Sequence, residues 1–136
     1  MEPIRIVLAN DHPLVRSSLR QLLEREQGFR VIAEAANGRE AILLADYRQP
    51  DIVVLDIQLP DVSGIVAARA ITGKNVRTGI LFVTALADHE YIAEAFKAGA
   101  RAYVLSDSAQ TDLIPAVHAA AQGRLFVSSA IDPQGY

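Results

Sequence analysis

Short apolar runs alternate with amphipathic stretches along the whole chain. Ile4–Ala9 and Ile52–Leu55 are rich in aliphatic, largely β-branched side chains and have the length of strands. Pro13 stands at a favoured first helical position, and the apolar residues after it recur at helical spacing. Three further apolar runs continue the alternation, at residues 31–36, 80–83 and 102–105. The pattern predicts five strands alternating with five helices.

Residues that start or stop helices lie between these runs. Asn37, with Glu40 three positions later, has the spacing of a capping box that opens the second helix. Asp88 is expected to cap the fourth helix, because a short acceptor side chain satisfies free backbone N–H groups. Gly28 and Gly99 are expected to close the first and fourth helices.

The alternation of strand and helix also predicts the fold class. Strands joined by helices through short loops imply right-handed crossovers and a parallel α/β sheet covered on both faces. Pro115 is an exception to the pattern of helix-forming residues, because it falls inside the predicted fifth helix. An interior proline costs about 3 kcal/mol, so this helix is expected to start late, near Thr111 or Asp112, or to bend.

Polar side chains follow the predicted strands. The first strand is followed by Asn10 and Asp11, the central strand by Asp56, the fourth by Thr84 and the fifth by Ser106. Because functional groups gather at the carboxyl ends of parallel strands, these side chains should lie together. Two carboxylates repel by roughly 4 kcal/mol at 4 Å and an effective dielectric constant of 20, which a divalent cation relieves. Oxygen ligands suit Mg²⁺, and a shielded carboxylate can attack a phosphoryl group.

Composition and charge narrow the function classes. The chain has 136 residues, 51% of them hydrophobic, and no cysteine, which fits one globular domain and excludes a disulfide framework or a thiolate metal site. A net charge of −3 with scattered basic residues gives no stripe that could bind DNA. No apolar run approaches the roughly 20 residues that span a bilayer. We expect a cytoplasmic protein that contacts no membrane and binds no DNA through this chain.

The chain resembles the receiver domains of bacterial two-component response regulators, in particular the NarL/FixJ-like family whose members carry a C-terminal LuxR-type helix-turn-helix. The resemblance implies a flavodoxin-like receiver fold with five helices and a parallel sheet in the order 2-1-3-4-5. It is carried by five segments in the expected order: residues 8–16, 51–60 with Gly64, 83–85, 97–103 and 123–126.

The resemblance implies a role for each strand-end residue. Asp56 would be the phosphoacceptor, and Mg²⁺ would be held by Asp11, Asp56 and the backbone carbonyl of Gln58. Thr84 would be the hydroxyl that moves toward the phosphoryl group. Tyr103 would be the aromatic residue that turns inward when Thr84 moves.

Two positions depart from the family pattern. Asn10 stands where the family usually has an acid, although an amide oxygen can still hold a metal-bound water. Ser106 stands where the family has a lysine that pairs with the phosphoryl group, and only Arg101 or Lys97 is near enough in sequence to replace it. A charge-assisted hydrogen bond contributes about 1.5–3 kcal/mol, whereas shifting a two-state protein from 1:99 to 99:1 takes about 5.5 kcal/mol. We therefore expect slow phosphorylation and incomplete switching.

The resemblance also implies partners and a domain division. Residues 1–124 would form the receiver domain and residues 125–136 the start of a linker to an output domain outside this chain. A sensor histidine kinase would supply the phosphoryl group, the protein would form a homodimer, and DNA would be bound only through the C-terminal helix-turn-helix domain.

Other function classes stay open at this point. A pseudo-receiver would dimerise or bind a ligand or protein without phosphate. An aspartyl-phosphate phosphatase would need a second acid two residues after the nucleophile, where Gln58 stands. A flavin site would need a Ser/Thr/Gly-rich phosphate loop after the first strand, which the sequence lacks. We expect a receiver that catalyses only its own phosphorylation and is not otherwise an enzyme.

Overall fold

A parallel sheet with helices on both faces makes up the part of the chain that the computed structural model describes, residues 2–129 and 131. The strands are β1 (Ile4–Ala9), β2 (Phe29–Ala35), β3 (Ile52–Leu55), β4 (Gly79–Thr84), β5 (Ala100–Leu105) and β6 (Phe126–Val127). The helices are α1 (Pro13–Glu24), α2 (Gly38–Arg48), α3 (Gly64–Lys74), α4 (His89–Lys97) and α5 (Ala109–Ala121). Among these residues, no helix is long and apolar enough to cross a membrane.

The sheet has the predicted topology with one addition. Its strand order is β2-β1-β3-β4-β5-β6, and every pair is parallel, so the predicted order of five strands is confirmed. The additional strand β6 pairs with β5 at Ala102 and Tyr103, so the sheet continues past residue 124. Ser128 extends this contact, because its N–H donates to the Tyr103 carbonyl at 3.0 Å and its hydroxyl accepts from the Leu105 N–H at 3.1 Å. The predicted linker therefore starts inside the sheet, and its residues 130 and 132–136 lie outside the described residues.

The apolar run of β3 is unbroken because both faces of the strand are buried. Val53 and Leu55 belong to the core layer beneath α2, α3 and α4, whereas Ile52 and Val54 belong to the layer beneath α1 and α5. None of the four is more than 1% exposed. A strand that is buried on both faces has no alternating polar positions, and for this reason its sequence is apolar throughout.

The predicted helix signals are partly confirmed. Asn37 caps α2, since its side-chain oxygen accepts the Glu40 N–H at 2.8 Å, and Glu40 in return accepts the Ala36 N–H at 2.9 Å. Asp88 precedes α4, but its side chain forms no capping hydrogen bond. The prediction that Gly28 closes the first helix is wrong, because α1 ends four residues earlier and Gly28 forms the turn into β2 with φ of 98°.

The fifth helix also differs from expectation. It begins at Ala109, directly after a single 3₁₀ turn at Ser106–Ser108, and runs through Pro115. The predicted late start near Thr111 is therefore wrong. The proline ring removes one backbone hydrogen bond, but Leu113 and the small residues of this helix pack tightly into the core, which offsets that cost.

Candidate functional site

The first residue after β3 is the predicted acceptor, Asp56. Its backbone N–H donates to the Ala9 carbonyl at 3.3 Å, which ties it to the end of β1. Its side-chain oxygen Oδ1 accepts the Gln58 N–H at 3.2 Å. The carboxylate is partly buried and remains accessible from the carboxyl end of the sheet.

The loop after Asp56 folds back onto it at Gly64. The Gly64 N–H donates to the Ile57 carbonyl at 2.8 Å, so α3 begins directly against the acceptor backbone. A Cβ atom at Gly64 would lie 2.0 Å from the Asp56 carbonyl oxygen. Only glycine allows this close approach, which positions Asp56 relative to α3.

The environment of Asp56 disfavours its charged form. Burial raises the pKa of its carboxyl group above the ordinary value, and the negative charge of Asp11 acts in the same direction. Hydrogen bonds from the Gln58 N–H and the Thr84 hydroxyl partly offset this rise in pKa by stabilising the carboxylate. A desolvated carboxylate beside a second one is a group that gains from a cation or from covalent modification.

Asp11 and Asn10 lie beside Asp56 at the end of β1. The Oδ1 atom of Asp11 is buried and accepts no hydrogen bond from the described residues, and Nε2 of His12 lies 3.6 Å away from it. Asn10 is 3% exposed, and its side-chain oxygen accepts the His12 N–H at 2.8 Å. One lone pair of that oxygen remains for a water, because an amide oxygen has two.

The donor set fits a weakly coordinated magnesium ion. No group of three or more His, Cys, Asp or Glu side chains that could hold a metal is found within the described residues, so a closed protein cage is not built here. Mg²⁺ commonly uses only one or two carboxylates and retains several waters. The unsatisfied Asp11 Oδ1 and the desolvated Asp56 carboxylate supply that arrangement.

Thr84 and Tyr103 are joined through the loop after β4. Thr84 is fully buried, and its hydroxyl accepts the Leu86 N–H at 3.4 Å. Tyr103 is also fully buried, with its ring centroid 6.2 Å from that of Phe82 and its hydroxyl donating to the Leu86 carbonyl at 2.6 Å. Tyr103 therefore points inward in this structure, and Leu86 connects it to Thr84.

Ser106 lies beside an open cleft and does not cover the site. It is exposed at the start of the 3₁₀ turn and, together with Asp56, lines a cleft of about 410 Å³ between α1 and α5. Neither basic residue suggested as a substitute for the lysine lines this cleft. Arg101 instead donates to the Ala120 carbonyl at 2.9 Å, and Lys97 lies 3.7 Å from Glu94.

Sequence reasoning missed two contacts that hold the site together. The Leu86 carbonyl has no side-chain signature, so its bond to Tyr103 could not be anticipated. Arg16 donates to the Asn10 carbonyl at 2.7 Å and to Glu34 at 2.9 Å, which holds the end of β1 against β2. Arg16 belongs to a segment that carries the resemblance, but its spacing alone gives no sign of these partners.

An aspartate at the end of the central strand, a second carboxylate beside it and a hydroxyl from the next strand together define a signal-receiver type of site. Residues 6–118 match the family model described as the response regulator receiver domain, and the chain belongs to this family. Its relatives make it a receiver of the NarL/LuxR type. Phosphorylation and Mg²⁺ binding are typical of the family.

Curated relatives and solved structures agree on this assignment. The chain is 38% identical over 122 residues to the transcriptional regulatory protein YxjL of Bacillus subtilis, covering 90% of this chain and 56% of that protein. It is 35% identical over 133 residues to the nitrate/nitrite response regulator NarL of Escherichia coli K12, covering 97% and 61%. It therefore spans little more than half of these relatives.

Solved structures give the same picture. A LuxR-family response regulator from Aurantimonas is 40% identical and superposes with a TM-score of 0.91, covering 96% of this chain and 93% of that one. The receiver domain of a NarL protein from Mycobacterium tuberculosis is 31% identical with a TM-score of 0.87, covering 91% and 100%.

Proposed function

We propose that this receiver accepts a phosphoryl group on Asp56 and thereby changes the surface that it presents to an output domain. The observation that carries the proposal is the convergence of Asp11, Asp56 and Thr84 at one edge of the sheet, where Asp56 is desolvated and accessible. Family membership supports the same function, and no comparison favours a phosphate-independent module.

The chemistry follows from the carboxylate of Asp56. One of its oxygens attacks the phosphorus of a phosphohistidine on a sensor kinase, an O–P bond forms, and the P–N bond breaks as the leaving imidazole takes up a proton. The Gln58 N–H holds the other side of the carboxylate in place at 3.2 Å from Oδ1. The Thr84 hydroxyl, which lowers the pKa of the Asp56 carboxyl group, would donate to a transferred oxygen.

Four groups would hold the magnesium ion: the carboxylates of Asp11 and Asp56, the backbone carbonyl of Gln58, and Asn10 through a water. When bound, the ion would neutralise charge on the carboxylates and on the phosphoryl oxygens. The buried Oδ1 of Asp11, which accepts no hydrogen bond within the described residues, supports this assignment.

The proposed switch consists of Thr84 and Tyr103. Thr84 would turn from Leu86 toward the phosphoryl oxygens, and Tyr103, which already points inward, would keep that position behind it. The bond between the Tyr103 hydroxyl and the Leu86 carbonyl would hold the inward position. With Ser106 in place of a lysine, this pair would have to stabilise the phosphorylated state without a cationic side chain.

The partners are proposed from the relatives. This receiver would take phosphate from a histidine kinase in the cytoplasm, form a homodimer, and control a DNA-binding helix-turn-helix domain outside this chain. The names of the relatives, two of them transcriptional or response regulators of greater length, support that organisation.

Intact-protein mass after incubation with acetyl phosphate and Mg²⁺ tests the proposal. We expect one added phosphoryl group on the native chain and none on Asp56→Asn. Asp88→Asn is the matched control, because Asp88 is exposed and its side chain makes no capping bond, so this variant should be phosphorylated normally. No addition at saturating donor and metal, or addition that survives in Asp56→Asn, would refute the assignment of Asp56.

A further inference from the structure

The cleft beside Asp56 is larger than phosphorylation requires. Its volume of about 410 Å³ lies within the range of about 300–1,000 Å³ typical of small-molecule sites. It is an open cleft bordered by α1, by the loop after β3, by the end of β4, and by the turn and helix that begin at Ser106. A phosphoryl group on Asp56 would occupy only a small part of it.

The lining of the cleft combines two kinds of surface. One wall is aliphatic, formed mainly by Val15, Leu19 and Leu22 of α1 together with Val83. Val15 is 43% exposed, although neighbouring Leu19 and Leu22 are each only 7% exposed. The wall therefore leaves apolar surface uncovered toward the cleft, and a ligand with a hydrocarbon part would cover it.

The residues that line the cleft carry a negative charge and no permanent positive charge, although Arg16 lies behind Asn10 and donates to its backbone carbonyl at 2.7 Å. Asp56 is an anionic lining residue, and the thirteen residues that line the cleft, all within the described part of the chain, include no Lys or Arg. His12 is the lining residue that could become cationic, and its side chain is 70% exposed. Asn10, Gln58 and Ser106 add neutral hydrogen-bonding groups.

We propose that this cleft binds a small organic cation, with its ammonium group beside Asp56 and its hydrocarbon part against Val15, Leu19 and Leu22. Opposite charges attract strongly in a partly desolvated site. Because Ser106 has a short side chain, space remains beside the acceptor for an ammonium group supplied by a ligand. The inference does not require Asp56 to be phosphorylated.

The test is an NMR titration of the ¹⁵N-labelled chain, without metal or phosphodonor, using phenethylammonium as the probe. Phenethyl alcohol is the matched neutral probe, because it has the same hydrocarbon part and differs in charge. We expect saturable amide shifts at Leu19, Ala85 and Ser106, with an affinity for the ammonium at least tenfold higher than for the alcohol.

Two variants localise the binding. Ser106→Lys would place a long cationic side chain in the cleft and should weaken phenethylammonium binding at least tenfold. Ser108→Lys adds the same charge two residues away, at a position outside the lining, and should leave the affinity within about twofold. The dispersion of amide signals in the same spectra reports whether each variant is folded.

Equal affinity for the ammonium and the alcohol would overturn the proposal, as would shifts confined to other surfaces or unchanged binding in Ser106→Lys. The result is separable from phosphorylation. Added mass on Asp56 without ammonium binding would refute only the cleft ligand, whereas ammonium binding without added mass would refute only the phosphoacceptor role.

Discussion

Replacement of Gly64 by alanine is the sharpest structural test of how the acceptor is held. The new Cβ atom would lie 2.0 Å from the Asp56 carbonyl oxygen and 2.9 Å from the Cα atom of Ile57. Protein Cβ atoms essentially never come closer than 3.0 Å to such a neighbour, so the backbone would have to move by about 1 Å or more. Both contacts are with backbone atoms, which cannot turn aside as a side chain would.

The cost of this overlap can be bounded. Overpacking costs about 1–3 kcal/mol in well-packed regions and occasionally more, and backbone contacts belong at the upper end. We expect Gly64→Ala to lower the free energy of unfolding by about 3 kcal/mol. With a urea dependence of about 2 kcal/mol per molar, the unfolding midpoint should fall by about 1.5 M. Because Asp56 would be displaced, phosphorylation by acetyl phosphate should also fall.

Gly73 provides the matched control in the same helix. A Cβ atom there would have no neighbour within 4 Å among the residues that the structure describes, and the backbone is helical. Gly73→Ala should therefore stabilise the protein by about 0.4–1 kcal/mol, since alanine restricts the unfolded chain. Urea unfolding followed by circular dichroism measures both variants. A midpoint for Gly64→Ala within about 0.3 M of the native value, which corresponds to about 0.6 kcal/mol at this urea dependence, would refute the close-approach argument.

Two further predictions concern Tyr103 and Asp56. Tyr103→Phe removes the bond to the Leu86 carbonyl and should cost about 1 kcal/mol of stability, with faster amide exchange in the loop after β4; unchanged exchange would contradict it. Asp56→Asn should raise stability at pH 7 in EDTA by about 0.5–2 kcal/mol. Because the pKa of Asp56 is raised in the folded state, its protonated carboxyl group favours folding. This contribution is fully present below the unfolded-state pKa of about 3.9 and is lost as pH rises through the folded-state pKa. The difference between native and variant urea midpoints should therefore vanish near pH 3.5, and a difference that does not depend on pH would contradict this reasoning.

Local signals predicted most of the fold. The aliphatic run of β3 and the capping pair Asn37 and Glu40 depend on burial and on neighbours in sequence, so they were readable without a structure. The two-residue strand β6 is too short to carry any periodicity. The start of α5 differs from the prediction because the core contacts of Leu113 offset the cost of Pro115, and a sequence pattern does not show those contacts.

The sequence predicts which residues meet at the candidate site, but it does not predict the hydrogen bonds that they form. Strand ends placed Asp11, Asp56 and Thr84 together because parallel strands share one carboxyl edge. The inward position of Tyr103 depends on a backbone carbonyl in another loop, which no sequence pattern marks. The size of the cleft beside Ser106 likewise depends on how α1 and α5 pack, a property of the assembled fold.

The short strand β6 has a mechanical consequence. It pairs with Ala102 and Tyr103 of β5, and Ser128 is hydrogen-bonded to Tyr103 and Leu105, so a displacement of β5 would act directly on this segment. A flexible linker that began at residue 124 would accommodate a small displacement by rotation about its backbone torsion angles. Here a shift of β5 would act through these hydrogen bonds on residue 128, about one strand width away from Tyr103.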